Sequence, residues 1–457
     1  MITMNNKISY YESILSKSSH VDFLTPARQT INHFEESQKE NSTLVEVTSL
    51  VTAPVLLAYT SWVLLDACKR GLRRLYFLAR DGYIMYNMAL SLCKAWGIDM
   101  ECRYFYCSRY ILRLPIFLYD RERTLDWLFS LSAYSPPTAI MVMLRAGISY
   151  EDAIKVLSGI NWQPEEELNY SNLKTLRKDL IECQQFIDLA MKAAKEAERQ
   201  VRGYLIQECG DTASVPFALV DSGWNGSSQE CFYRIYTAIF DTPLKLEGYY
   251  FGMHVNGNPQ FGVYHCWLFS PGRKYFRMQF INLNLFECLC MADHGMTMGY
   301  EERDDKWVPV FFENTGYFHS ELQNTVCEMY INNFMEINAA CGGTINFDRN
   351  VYSLLKSFMV HPSGEEAVTY GSIEFGDDPT GKIIGRLAEP ININEYWQQS
   401  FYKRLFVKLI GRKTTVKHFL WLDGALTLSK HSFLVKLDML LLRILTHLRL
   451  SLKNWKQ

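Results

Sequence analysis

The chain has 457 residues, of which 48% are hydrophobic, 14% aromatic and 21% charged, so it can bury one large core or two to three domains. A formal net charge of −2 lacks the basic excess of a nucleic-acid binder, and no nucleic-acid partner is expected. Twelve cysteines without a C-x-x-C pair fit thiols in a reducing cytosol better than a disulfide framework.

Residues 1–45 are polar and weakly patterned, and read as one or two helices with a loop at ESQKENST (36–43). The first residues lack the basic-then-apolar order of a secretory leader. The uncharged run 50–65 (LVTAPVLLAYTSWVLL) is short for a membrane span and carries Pro54, Thr60 and Ser61, so it reads as a buried helix. A cytoplasmic location is the resulting expectation. Next, LYFLA (75–79) reads as a strand ending in Arg80-Asp81-Gly82. YIMYNMALSLCKAW then reads as an apolar helix stopped by Gly97, and CRYFYCS as a second strand ending at Arg109. Strand, helix, strand is the unit that builds parallel sheets.

The texture then changes. Residues 115–210 read as an all-helical insertion: DRERTLDWLFSLSA, a Ser-Pro-Pro break at 135–137, TAIMVMLRAG, EDAIKVLSG, and a long helical stretch over 165–209 broken near Tyr170-Ser171. The sheet resumes with FALVD (217–221), a helix after Ser228 and the strand KLEGYYFGM. Beyond 260 the pattern is less regular, with strand-like VYHCWLFS and KWVPVFF around the apolar FINLNLFECLCMADHG. The expected organisation is an N-terminal helical segment (1–45), an α/β core (46–300) holding the insertion, a mixed region (301–395) and a basic helical C-terminus (396–457). The fold class is α/β, with a Rossmann-like parallel sheet.

Two strand ends carry the candidate chemistry, because open α/β sheets bind ligands where strands lead into helices. ARDG places Arg80, Asp81 and Gly82 after the first strand; DSGWNGSS places Asp221, Ser222, Gly223, Asn225, Gly226, Ser227 and Ser228 after a later one. Glycines permit close backbone approach, while hydroxyls and helix N-terminal N–H groups suit anionic oxygens. Arg80 and Arg109 can clamp a phosphate or carboxylate bidentately. Asp221 can hold a magnesium ion, a ribose hydroxyl or a transferring proton, with Asp81 as its partner in catalysis. Each loop taken singly also reads as a helix cap and turn, with Arg80 and Asp81 as a structural pair.

The layout of RLYFLARDG and VDSGWNGSSQ loosely resembles the pyrophosphate and phosphate loops of type I phosphoribosyltransferases. A closer resemblance rests on LYFLARDGYIMYNMA, YCSRYILRLP, VDSGWNGSSQ, LEGYYFGM and FECLCMADHGMTMGY…WVPVF, in that order over about 51–312. These segments resemble bacterial proteins of surface-polysaccharide gene clusters identified as predicted hydrolases of the haloacid dehalogenase superfamily, in the region that follows their dehalogenase module. The resemblance implies a phosphorylated sugar or nucleotide as ligand, glycan-biosynthesis proteins as partners, Glu287 on the inward side of its helix and His294 in the exit loop as a substrate contact. The complete dehalogenase motif set is absent: Asp81-Gly82-Tyr83 and Asp221-Ser222-Gly223 both lack the second carboxylate.

Other constellations are weaker. Cys288, Cys290, Asp293 and His294 crowd one segment, but their spacing fits a buried helix better than a zinc site. No G-x-S-x-G elbow supports a serine nucleophile. The tail 401–457 holds twelve Lys and Arg against Asp423 and Asp438, a net +10. Leu434, Leu437, Leu441, Leu445, Leu448, Leu452 and Trp455 share one helix face. Such a stripe packs on a protein's own core more often than on a membrane, so core packing is the first expectation and peripheral contact with the inner membrane face the second. The expected function is cytoplasmic phosphate handling, by hydrolysis or transfer, in surface-polysaccharide biosynthesis; the alternative is a non-catalytic scaffold of a glycan-assembly complex.

Overall fold

Five short segments rich in aromatic and β-branched residues pair side by side, all parallel: β1 (Arg74–Leu78), β2 (Glu101–Phe105), β3 (Phe217–Asp221), β4 (Glu247–Gly252) and β5 (Val263–Phe269), in the order β2-β1-β3-β4-β5. The computed structural model describes residues 3–17, 21–130, 136–212, 215–312, 320–338, 347–376, 384–398, 400–401, 403, 420–429 and 433–455.

The central strands β1 and β3 are buried along their whole length, which is why each reads as an unbroken apolar run rather than an alternating one. Their pleat divides them between two layers. Leu75, Phe77, Ala218 and Val220 join the largest core cluster, with the helices Ala53–Lys69, Gly82–Trp96 and Leu283–Cys290. Tyr76, Leu78, Phe217 and Leu219 face the helices Gln184–Cys209 and Ser227–Phe240. Arg74 ties the far end of the sheet, with Nη1 and Nη2 donating to Asp211 at 2.6 and 2.7 Å and Nε donating to Glu101 at 2.6 Å.

The α/β reading is thus correct, the strand-like VYHCWLFS and KWVPVFF are strands, and the break in the long helical stretch needs revision. VYHCWLFS is the fifth strand of the main sheet. It runs along an edge, so its first half is only partly covered and its sequence lacks a clean apolar run. KWVPVFF forms an antiparallel hairpin, in which β6 (Thr297–Arg303) pairs β7 (Lys306–Phe311). The long helical stretch breaks at Cys183, between Tyr170–Glu182 and Gln184–Cys209; Tyr170 instead begins a helix capped by the Asn169 side chain. The insertion has its own apolar cluster, running from Phe117 through Leu157 and Leu176 to Ala194.

The 50–65 run is a core helix. It belongs to one long helical stretch, Lys39–Lys69, that has the length and apolarity to cross a membrane, yet 94% of its apolar window is buried inside the protein. The N-terminal helices, the helices Ser320–Asn338 and Asp348–Val360, and Trp421 share that same core.

Candidate functional site

Chain order reverses between β1 and β3: the connection from β1 leads outward to β2, and the chain then returns to the other side of β1 to lay down β3. Loops after two strands that diverge in this way leave a crevice at the carboxyl edge of the sheet. Here that crevice is a cavity of about 540 Å³ whose walls include Arg80, Asp81, Arg109, Asp221, Ser222, Gly223, Asn225, Ser227, Ser228 and Glu287. Both predicted loops therefore open on one space.

Local geometry explains the glycines. A Cβ on Gly82 would lie 2.9 Å from the Phe77 carbonyl carbon, where the first turn of its helix crosses β1. Gly223 has φ +143° and its Cβ would meet the Gly252 carbonyl oxygen at 2.2 Å, so only glycine lets this loop pass the end of β4. Gly226 (φ +68°) turns the chain into the helix that begins at Ser227.

The two loops are bonded to each other. The Ser222 hydroxyl donates to Asp81 Oδ2, while the Ser222 backbone N–H donates to Asp221 Oδ1 at 2.8 Å. Tyr59 supports the strand end from below, its hydroxyl donating to the Asp221 carbonyl at 3.1 Å. Trp224 anchors the loop to the next helix, with Nε1 donating to Glu287 Oε1 at 3.0 Å and its ring edge-on to Phe286. That bond turns Glu287 into the cavity.

Three carboxyl groups thus share a poorly solvated space. Burial, reinforced by the charge of Asp81, pushes Asp221 up to about 8. The same two causes push Glu287 up to about 7. Asp81 is also raised by burial, against the Ser222 bond and the positive charges of Arg80 and Arg109. Near neutral pH, Asp221 keeps its proton, while Glu287 in the same cavity ionises more readily. Divergent carboxyls of this kind can give and take a proton in one reaction.

Sequence reading missed several residues on the same walls. Arg113 lies one helical turn beyond Arg109; its Nη2 donates to Ser227 Oγ at 3.1 Å and its guanidinium lies 4.8 Å from the Trp127 ring centroid. Burial lowers Arg113 to about 10, which leaves it charged at neutral pH. The i, i+4 spacing in SRYILR was the available signal. Trp127, Arg123 and Arg145 reach the cavity from the helical insertion. Arg123 is engaged bidentately by Glu230, and Arg145 donates to the carbonyls of Leu128 and Ser130. Nothing local in the sequence points these groups at the sheet edge.

His294 sits away from those walls, among Tyr83, Tyr104, Tyr106 and Phe311. Its Nδ1–H donates to the Gly295 carbonyl at 2.8 Å, so Nε2 accepts from the Tyr104 hydroxyl at 2.6 Å. Burial lowers its pKa and keeps it neutral. Cys288 and Cys290 are buried in the main core. Among the described residues, no three His, Cys, Asp or Glu side chains are grouped to hold a metal ion between them. No protein-family model and no curated protein matches this chain.

Proposed function

We propose that the protein is a phosphate-handling α/β enzyme that acts on a phosphorylated sugar or nucleotide, by hydrolysis or transfer. The observation that carries this reading is the meeting, in one cavity, of three carboxyl groups with Arg80, Arg109, Arg113 and the start of the helix Ser227–Phe240. Guanidinium groups and helix N-terminal N–H groups both suit phosphate oxygens. Ser227 and Ser228 supply hydroxyls at the same place. Asp221, protonated at neutral pH, donates to a leaving or bridging oxygen; Asp81, held by Ser222, accepts a proton from the attacking group. Glu287, fixed by Trp224, contacts the non-phosphate part of the substrate.

Magnesium fits this arrangement in one respect. It is bound through one or two carboxylates when substrate phosphates supply further oxygens, so the lack of a three-residue ligand set does not conflict with it. The ion and the proton are alternatives at Asp221: with magnesium present, Asp221 would be ionised and would hold the ion with Asp81 beside it, and the ion would neutralise phosphate charge. A setting in surface-polysaccharide biosynthesis rests on the sequence resemblance alone.

The test is a structure determined with a hexose 1-phosphate or a nucleoside diphosphate, with and without magnesium. Phosphate density between Arg113 and the Ser227–Ser228 turn is expected. Density elsewhere, or none at millimolar ligand, would remove the basis for the proposal.

A further inference from the structure

The last described helix, Phe433–Trp455, is apolar on two sides. Its inner side is held by the protein: Val435 and Asp438 are fully buried and Met439 nearly so. The Tyr396 hydroxyl donates to Asp438 Oδ2 at 2.7 Å, and Arg443 Nη2 donates to Asp423 Oδ2 at 2.5 Å. The opposite side carries Leu434, Leu437, Leu440, Ile444, Leu445 and Leu448, between 39% and 63% exposed. Steps of three and four residues link Leu434, Leu437, Leu440, Ile444 and Leu448, and Leu445 lies beside Ile444, so they form one strip along the helix. The expectation that the leucine stripe packs on the protein's own core is therefore incorrect for Leu434, Leu437, Leu445 and Leu448. A different stripe, centred on Val435 and Met439, takes that role.

Charge says what covers the exposed strip. Residues 401–457 carry a net +10, whereas the whole chain carries −2, so residues 1–400 carry −12. The helix Phe433–Trp455 itself carries Lys436, Arg443, Arg449 and Lys453 against Asp438, a net +3, so a second copy docked strip to strip would bring like charge together. An anionic lipid surface would attract the tail and take the leucines into its acyl boundary, the usual pairing for interfacial helices. We infer that the helix Phe433–Trp455 seats the protein on an anionic membrane surface through its outer leucine strip.

Flotation of the full chain with vesicles tests this. Wild type should float with phosphatidylglycerol-containing vesicles, and about tenfold less with pure phosphatidylcholine or at high salt. The triple variant Leu437→Ser/Ile444→Ser/Leu448→Ser alters only exposed positions; it should bind anionic vesicles at least about tenfold more weakly while its melting temperature is unchanged. Absence of wild-type flotation on anionic vesicles overturns the inference, as does equal flotation of the variant. A wild-type dimer in sedimentation that becomes monomeric in the variant would assign the strip to a second copy and equally overturn it.

Discussion

The Ser222 hydroxyl donates to Asp81 across 141 residues of sequence, and so joins the loop after β3 to the loop after β1. Its own backbone N–H simultaneously holds Asp221. One serine therefore sets the relative position of the two carboxyl groups on which the proposed chemistry depends. Ser222→Ala should cost about 1 kcal/mol of stability through the lost bond. It should also raise Asp81 further, because that bond favours the charged form. Chemical denaturation and a pH–rate profile check the two effects, and an unshifted profile would leave Ser222 a purely structural contact.

Asp221→Asn has a stability signature that can be read without any ligand. The folded chain keeps this proton up to about pH 8, whereas the unfolded chain releases it near the ordinary carboxylate value of about 3.9. Between those values the folded state binds the extra proton, so the stability contribution present in acid is lost as pH rises. The amide removes that loss. Thermal melts should therefore show Asp221→Asn equal to wild type near pH 4 and more stable at pH 8, by on the order of 5 kcal/mol.

Anion affinity should follow the same titrations. As pH rises through the values near 7 for Glu287 and 8 for Asp221, the cavity gains negative charge. Binding of inorganic phosphate should weaken by about tenfold from pH 6.5 to pH 9. Arg113→Ala should weaken it at every pH, since that guanidinium and Ser227 converge on one spot. Calorimetric titration would show this, and an Arg113→Ala variant with wild-type affinity would remove the arginine from the site.

Gly223→Ala should be severe. A methyl group 2.2 Å from the Gly252 carbonyl oxygen, at φ +143°, forces the loop off the end of β4. About 2–3 kcal/mol of destabilisation is expected, together with loss of ligand binding. Gly97→Ala, at φ +63° with open space around it, provides the comparison and should cost less.

Much of this arrangement was legible in the amino-acid sequence, for reasons that can be named. β1 and β3 are buried on both faces, so each shows as an apolar run that stops at polar loop residues. The edge strand β5 has a half-covered first part, so it showed as strand-like but not as a member of the main sheet. Arg80, Asp81 and Asp221 were visible because strand ends are local features. Arg123, Arg145 and Trp127 arrive from the helical insertion, and only the tertiary docking of that insertion brings them to the cavity. Arg113 was legible in principle, one turn beyond Arg109. In the tail the leucine stripe was visible as a pattern, but its facing depends on which of two apolar sides the rest of the chain covers. Periodicity carries no information about that.

In the proposed reaction, Asp221 transfers a proton to or from a phosphorylated substrate. Phosphorus NMR, following a hexose 1-phosphate and a nucleoside diphosphate sugar with wild type and Asp221→Asn, tests it most directly. Turnover by wild type and its loss in an Asp221→Asn variant of intact fold is the expected result. Turnover that survives in Asp221→Asn, or a wild type that neither binds nor converts any phosphate compound, would rule out this proton transfer and leave Asp221 a buried cap at the end of β3.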